Sequence, residues 1–497
     1  MSAFAEPYVL SLDIGSSSVR AIVFDRTGRI VDGGNAHRKH RLQTSPDGKA
    51  VSDPDELLGK LFHCIDEVLS RLGDDSRKIA AVGSCTFVSN VLGVNQTGVP
   101  VTPLYTYADS RPAEDANTLR AMLDESFIHQ QAGTLFHPSY LPARFLWLKR
   151  TRPKLFGKVA RWLSIGEYMT GKLFGQTAVS YSVASWSGLL NRHTLDWDEH
   201  LLADLPVSKD RLSPLVDVDS AWKGLKPPFD KRWPALSGIP WYPAVGDGAT
   251  ANIGSGCVSP DRFAITMGTS SAVRVVLRGN IPVVPHGLWS YRVDKDHSLV
   301  GGALSEGGCV YEWLTNTLKP DERNSRQQAI AAIPPDSHGL TFLPLLAGER
   351  SPGWNGNLRG ALLGISLATT PQEILRAAME GVAYRIGLIY QLLEPSLPAD
   401  TQAIANGGAL HNSPAWVQII ADVLGRPVSI SLAEEPSARG AAMLALRSLG
   451  VVPDLASFPP LLGKTCTPNP AHHAIYQKAI QRQKRLYGFI QQETSGE

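Results

Sequence analysis

The stretch DIGSSSVRAIV, residues 13–23, returns in altered form as TMGTSSAVRVV, residues 266–276, so that Gly15, Ser16 and Ser17 answer to Gly268, Thr269 and Ser270. Each copy reads as a strand, a turn of one glycine followed by hydroxyl side chains, and a second strand. Glycine lets the backbone come close to a guest, and amides and hydroxyls converging on one concavity suit an anion such as phosphate. A motif that occurs once near the start of each half marks an internally duplicated chain with two lobes, each offering one phosphate-holding hairpin.

The surroundings extend this reading. The first hairpin belongs to a meander, YVLSLDIG, VRAIVFD and RIVDGG, turning at Arg26-Thr27-Gly28. From Pro54 to Leu72 the apolar residues Leu57, Leu58, Leu61, Ile65, Val68 and Leu72 recur near 3.6 residues apart, which predicts a helix facing the core. IAAVGS at 79–84 and VLGVN at 91–95 predict strands that resume the sheet. PQEILRAAMEGVAYRIGLIYQLL at 371–393 predicts a long helix capped by Thr370 or Thr369 with Pro371 in its first turn, and 414–424 predicts another. The Pro-rich stretch 227–243 reads as a surface excursion of the first lobe. Alternating strands and helices make the class α/β, with the boundary in 254–260 and lobes of 1–256 and 257–497.

Bulk properties narrow the function. A chain of 497 residues exceeds what one hydrophobic core serves. With 43% hydrophobic and 19% charged residues it is an ordinary globular chain rather than a disordered one. Its 48 basic and 46 acidic side chains leave +2, too balanced for a nucleic-acid surface. Five widely spaced cysteines, Cys64, Cys85, Cys257, Cys309 and Cys466, with no CxxC pair, suggest neither a disulfide framework nor a zinc site and fit a reducing compartment. The amino terminus lacks an apolar signal core, and no stretch supplies the roughly 18 apolar residues of a membrane span. A cytoplasmic protein without membrane or nucleic-acid partners is therefore expected. Neither GxxxxGK[ST] nor an HRD and DFG pair occurs, which disfavours P-loop and protein-kinase scaffolds.

The hairpin pair, together with GALLGISLATTPQEILRAAME at 360–380, resembles the FGGY family of carbohydrate kinases. Gly360, Gly364, Glu373, Ala377 and Glu380 stand at the spacing of that family's C-terminal signature. HPSYLPARFLWLKR resembles its N-terminal signature, with Arg144 where the family usually has lysine. The resemblance runs through nearly the whole chain. It implies two actin-like (ribonuclease H-like) α/β lobes with a nucleotide and sugar cleft between them, ATP and Mg2+ as cofactors, a small sugar or polyol as partner, and a monomer or homodimer.

Residue by residue, the resemblance makes Asp247 of AVGDGATANIG the catalytic base and a metal contact, with Gly246 and Gly248 letting substrate approach. Asp13 is expected to reach Mg2+ through water, as a hard cation that keeps several waters would allow. Gly15, Ser16, Ser17, Gly268, Thr269 and Ser270 are expected around the ATP phosphates. IANGGALHNSPAWVQIIADVLGRPV resembles the adenosine motif and places Gly407, Gly408, Ala409 and Asn412 at the nucleotide, Asn412 being alternatively a cap for the next helix. Gly307 and Gly308 are expected to complete that cleft, whereas Glu434, Glu435 and Arg439 read as structural.

For the substrate, YTYADSRPAEDANTL at 105–119, GTLFHPSYLPARFLWLK at 133–149 and YSVASWSGLLNRHTLDWD at 181–198 resemble the gluconokinase branch of the family. Gluconate is the first expectation, with Tyr107, Asp109, His137 and Ser89 as contacts and Arg111 and Ser139 beside them. Asp109 alternatively caps a helix, and Tyr107 alternatively fills core. The segment CTFVSNVLG places Val88 and Ser89 where gluconokinases and xylulokinases usually carry a Met-His pair, which leaves xylulose, ribulose or another polyol open. An actin-like ATPase or chaperone-type switch is the reading from another class; a chaperone would need a further peptide-binding domain.

Overall fold

The computed structural model describes residues 4–319 and 323–495. Strands β1 (Tyr8–Ile14), β2 (Ser18–Phe24) and β3 (Ile30–Lys39) form the antiparallel meander, with Asp13 opposite Arg20 and Ile14 opposite Val19 at the first hairpin's tip. Helix α1 (Pro54–Leu72) starts where the Asp53 carboxylate accepts the amides of Asp55 and Glu56, and it buries the apolar stripe named above, apart from the half-buried Leu72. Strands β4 (Ile79–Thr86) and β5 (Trp241–Gly246) then join in parallel, giving the order β5-β4-β1-β2-β3. Between them, helix α2 (Leu141–Thr151) belongs to an inserted subdomain; after β5, helix α3 (Asp247–Gly254) begins at once.

The second half repeats the plan. Strands β6 (Arg262–Met267) and β7 (Ser271–Arg278) make the second hairpin, β8 (Trp289–Arg292) and β9 (His297–Leu304) follow, and β10 (Gln402–Asn406), β11 (Val428–Ser431) and β12 (Leu462–Cys466) complete the order β8-β9-β7-β6-β10-β11-β12. Its central five, β9-β7-β6-β10-β11, match the first sheet strand for strand in order and direction. Helix α4 (Gly308–Leu318) follows β9. Helix α5 (Pro371–Leu393) opens with a capping box in which Thr370 and Glu373 satisfy each other's backbone amides. Helices α6 (Gly408–His411) and α7 (Pro414–Leu424) lie between β10 and β11, α8 (Pro436–Ser448) follows β11, and α9 (Pro470–Ser495) ends the described chain.

The equivalent helices α3 and α8 cross between the two sheets. A Cβ on Gly254 would sit 1.9 Å from the Pro436 carbonyl oxygen, and one on Gly440 would sit 1.9 Å from that of Thr250. Only glycine permits this backbone contact at the junction of the lobes. Although α8 comes from the second half, it packs on the first sheet: Ser11 Oγ donates to the Ala438 carbonyl at 2.7 Å, and Arg439 Nε donates to that of Gly28 at 3.1 Å. One apolar cluster runs from Val9 and Phe24 through Ile253 and Ala442 to Val276 and Leu299, binding the halves together.

Two segments depart from the sequence reading. Leu92–Val94 pairs with Arg161–Leu163 in a separate ribbon instead of the main sheet. The stretch 227–243 is not a surface excursion: Trp233 is 1% exposed, edge-on to Phe62 at 5.3 Å, and the stretch ends inside β5. Its prolines punctuate two short helices, but its aromatic residues have more to gain from the core.

Candidate active site

Asp247 stands at the first turn of α3, where the Gly248 amide donates to its Oδ1 at 2.7 Å. A side chain at Gly246 would collide with Trp186 Nε1, 2.8 Å from the position of a Cβ, so the carboxylate emerges from a closely packed strand end. Asp13, 4% exposed, is the penultimate residue of β1, two strands away, and Cys85 of the intervening β4 is in register with both Asp13 and Val245. Burial first, and the Asp13 charge second, push the Asp247 carboxyl up to about 7, against the pull of Arg274 and the Gly248 amide. Burial also raises Asp13, opposed by Arg20, whose Nη1 lies 3.2 Å from Oδ2. Asp13 thus raises the proton affinity of Asp247, while Glu435 is the acid that raises Asp13. A pair of carboxylates suits Mg2+, which takes one or two from the protein and completes its shell with phosphates and water. Arg20 also reaches Glu435 across the lobes, Nε to Oε2 at 3.1 Å, so Glu435 joins the structural group expected of it.

The two hairpins close tightly. In the first, the Gly15 amide bonds the Ser18 carbonyl at 2.9 Å, His40 Nε2 donates to the Gly15 carbonyl at 2.9 Å, and the Tyr107 hydroxyl reaches Ser16 Oγ at 3.4 Å. In the second, the Gly268 amide bonds the Ser270 carbonyl at 3.0 Å, and the Gly308 and Cys309 amides donate to the Gly268 and Thr269 carbonyls. Gly407 has φ +100°, and a Cβ there would fall 2.3 Å from the Met267 carbonyl oxygen, so the motif after β10 seats directly on the hairpin.

These contacts gather Gly268, Thr269, Gly308, Gly408, Ala409 and Asn412 around one cavity of ≈ 520 Å³, a size suited to a nucleotide. The Asn412 amide donates to the Gly408 carbonyl at 2.7 Å and closes its own turn, and Ser413 rather than Asn412 takes the cap position of α7. The sequence reading missed the facing wall, Tyr311, Glu312, Thr315 and Asn316 of α4. With Gly308 they recur three to four residues apart, a spacing that marks one face of a helix leading out of the Gly307-Gly308 turn.

The substrate candidates are scattered. Asp109 is fully buried, paired with Arg111 (Nε to Oδ1, 3.0 Å) and Arg144 (Nη1 to Oδ1, 3.4 Å), so both oxygens already have cationic partners. Arg144 of α2 further ties the Thr106 and Asp109 carbonyls, each at 3.0 Å. Ser89, at φ +54°, donates its hydroxyl to the Trp186 carbonyl at 2.7 Å. Tyr107 is half exposed beside Ser16 at the first hairpin. His137 is edge-on to Trp354 at 5.4 Å, its Nδ1 accepts the Ser139 amide at 3.2 Å, and burial with the Arg350 charge pushes it down to about 3, so it stays neutral. Near His137 lie groups the sequence reading did not single out: Tyr140, Tyr291, Arg350 and Arg274.

The C-terminal signature, by contrast, is architectural. Glu380 accepts from Arg376 at 2.7 Å, Tyr476 at 2.9 Å and Tyr384 at 3.1 Å, deep in the second lobe. Asp336 and His338 approach it closely enough to form a metal-ligand group, but Glu380 is already saturated by cationic and hydroxyl donors.

Models of the FGGY family of carbohydrate kinases match this chain in two parts, the N-terminal domain over residues 8–254 and the C-terminal domain over residues 263–449. The chain is 25% identical to a gluconokinase of Bacillus subtilis (strain 168), covering 92% of this chain and 91% of that one. It is 30% identical to a glycerol kinase of Stenotrophomonas maltophilia (strain R551-3), covering 89% and 90%. The crystal structure of gluconate kinase from Lactobacillus acidophilus superposes with a TM-score of 0.89 at 26% identity, covering 97% of this chain and 98% of the other.

Proposed function

The chain belongs to the FGGY family of carbohydrate kinases, and from that premise we propose that it phosphorylates a hydroxyl of a small sugar acid, gluconate first, with Asp247 as the base. The observation that carries this reading is a single carboxylate, at the junction of both lobes, whose proton affinity is raised to about 7 by burial and by Asp13. A base poised near neutrality takes a hydroxyl proton most effectively.

Bound Mg-ATP supplies the phosphoryl group and the charge that offsets it; Asp13 and Asp247 are the residues that would hold Mg2+. Amides and hydroxyls of Gly15, Ser16, Ser17, Gly268, Thr269 and Ser270 orient the phosphates, while Gly308, Gly407, Gly408, Ala409 and Asn412 wall the nucleoside. Asp247 Oδ receives the proton as the acceptor oxygen attacks. Rotation about the Gly254 and Gly440 crossing excludes water from that step. Tyr107, Asp109, His137 and Ser89 shape the sugar side, Asp109 by holding Arg111 and Arg144 in place. Five unbridged cysteines, and the absence among the described residues of any helix long and apolar enough to cross a membrane, support a cytoplasmic setting.

The likeness to a glycerol kinase favours a second reading, a neutral polyol as acceptor. An ADP-release assay with Mg-ATP against gluconate, xylulose, ribulose, glycerol and erythritol, with an acceptor-free blank, tests both. One strong responder supports the kinase and names its acceptor. Equal release with and without every acceptor overturns it in favour of an ATPase switch.

A further inference from the structure

The duplicated hairpins differ at one informative place. Where the first copy has Ala21, wholly buried, the second has Arg274, whose guanidinium carbon would lie 3.3 Å from a Cβ on Gly248, next to Asp247. A side chain at 248 would crowd it and the Trp186 ring, 3.1 Å from the same position. Arg274 Nε is buried without a partner. A second guanidinium, Arg350, lies within electrostatic reach and repels it. Arg350 Nε is also buried and unpartnered; its guanidinium bonds the Tyr140 hydroxyl and lies 5.9 Å from the Trp354 ring centre.

The neighbouring acids are otherwise engaged. Glu349 pairs with Arg385 and accepts the Tyr487 hydroxyl at 2.7 Å. Glu306 accepts the Ala347 amide at 3.0 Å and is held up to about 7 by burial, so near neutrality it is only partly charged. Among the described residues neither arginine forms an ion pair; the one carboxylate that acts on Arg274 is the base itself, and Glu306 lies within electrostatic reach of Arg350. Two like charges held half-buried within reach of each other call for an anion. A neutral polyol would leave them uncompensated, whereas a carboxylate matches the planar donor fork of arginine.

Resting on the kinase reading with Asp247 as base, we propose that Arg274 and Arg350 form a subsite for the acceptor's carboxylate and thereby select an acid sugar over a neutral polyol. Tyr140 and Tyr291, whose hydroxyls bond each other, and the half-buried His137 frame that subsite.

The test uses the full-length protein and its Arg274→Gln, Arg274→Lys and Arg350→Gln variants. Gluconate binding without nucleotide is measured by calorimetry, and kcat/KM is compared on gluconate and on a neutral six-carbon polyol. ATP binding and circular dichroism confirm that each variant is folded. Each Gln variant is expected to weaken gluconate binding about 10- to 150-fold, the range for a lost charged hydrogen bond, with Arg274→Lys in between, and to lower the acid-to-neutral rate ratio. A Kd within about threefold of wild type in both Gln variants, or equal losses on acid and neutral acceptors, overturns the subsite; equal losses would assign the arginines to the base or to the phosphoryl group. A wild type that phosphorylates only neutral polyols removes this proposal and leaves the kinase standing, whereas phosphorylation of no acceptor removes both.

Discussion

Replacing Asp247 by Asn should abolish turnover and stabilise the fold, with the stabilisation depending on pH. The Asp247 carboxyl has its proton affinity raised from 3.8 to about 7 by burial and by Asp13. A raised value means that the folded protein holds this proton more tightly than the unfolded chain does. The resulting stability is complete below the unfolded value near 3.8 and is lost as pH rises through about 7. At about 1.36 kcal/mol per pH unit the loss is ~2–4 kcal/mol above neutrality, the lower figure allowing for the partial exposure of this carboxylate. Asn does not titrate, so its advantage over wild type should be absent near pH 4, grow through pH 5–7 and level off above that. Near pH 8 it should amount to about 5–10 °C in melting temperature, at roughly 2–4 °C per kcal/mol for a lobe of this size. Differential scanning fluorimetry across pH 4–8, without nucleotide, reads this directly, while the ADP-release assay should show a rate loss of about 10²- to 10⁴-fold. A melting-temperature difference that stays constant with pH would show that Asp247 ionises normally in the fold, and the argument for a base poised near neutrality would fail with it.

Other consequences can be checked with the same assays. In wild type turning over Mg-ATP, kcat/KM for the acceptor should rise with pH along an acidic limb below 7, because Mg2+ moves the ionisation of Asp247 lower than in the metal-free protein, as titration by NMR with and without the ion would show. If Asp13 holds the cation as proposed, Asp13→Asn should raise KM for Mg-ATP far more than KM for the acceptor; an acceptor-only effect counts against that role. Asp109→Ala leaves the buried Arg144 without its carboxylate and should cost ~3–5 kcal/mol of stability, read by chemical denaturation. Gly407→Ala meets both a φ of +100° and the Met267 carbonyl, so it should lose ADP binding while the melting profile of the first lobe is kept.

The large outline was legible because it rests on local patterns. The hairpin repeat, the 3.6-residue stripe of Pro54–Leu72 and the cap at Thr370 or Thr369 are short-range features; the first two appear where the pattern puts them, and the structure settles the cap on Thr370. Prolines misled at 227–243, since punctuation says little about whether Trp233 finds Phe62 across the fold. The nucleotide wall was half visible: glycines announce close backbone approach, but the polar face of α4 acquires meaning only when β7 and β10 bring it opposite Ala409.

The sugar side was the least legible, because a motif records which residues recur and not which of their atoms are already bonded. Asp109 stands in a substrate-like motif, yet both its oxygens face arginines that hold the inserted subdomain together. Arg274 stands in the middle of a strand and resembles a solvated charge, yet it projects from the inner face of β7 beside Asp247 with Nε unpartnered. In a buried pocket the free energy of recognition lies in groups left unsatisfied by the protein, since these are the ones a ligand can complete. On that criterion the acceptor is read less by Asp109, both of whose oxygens are bonded, than by Arg274 and Arg350, each of which keeps a buried Nε without a partner.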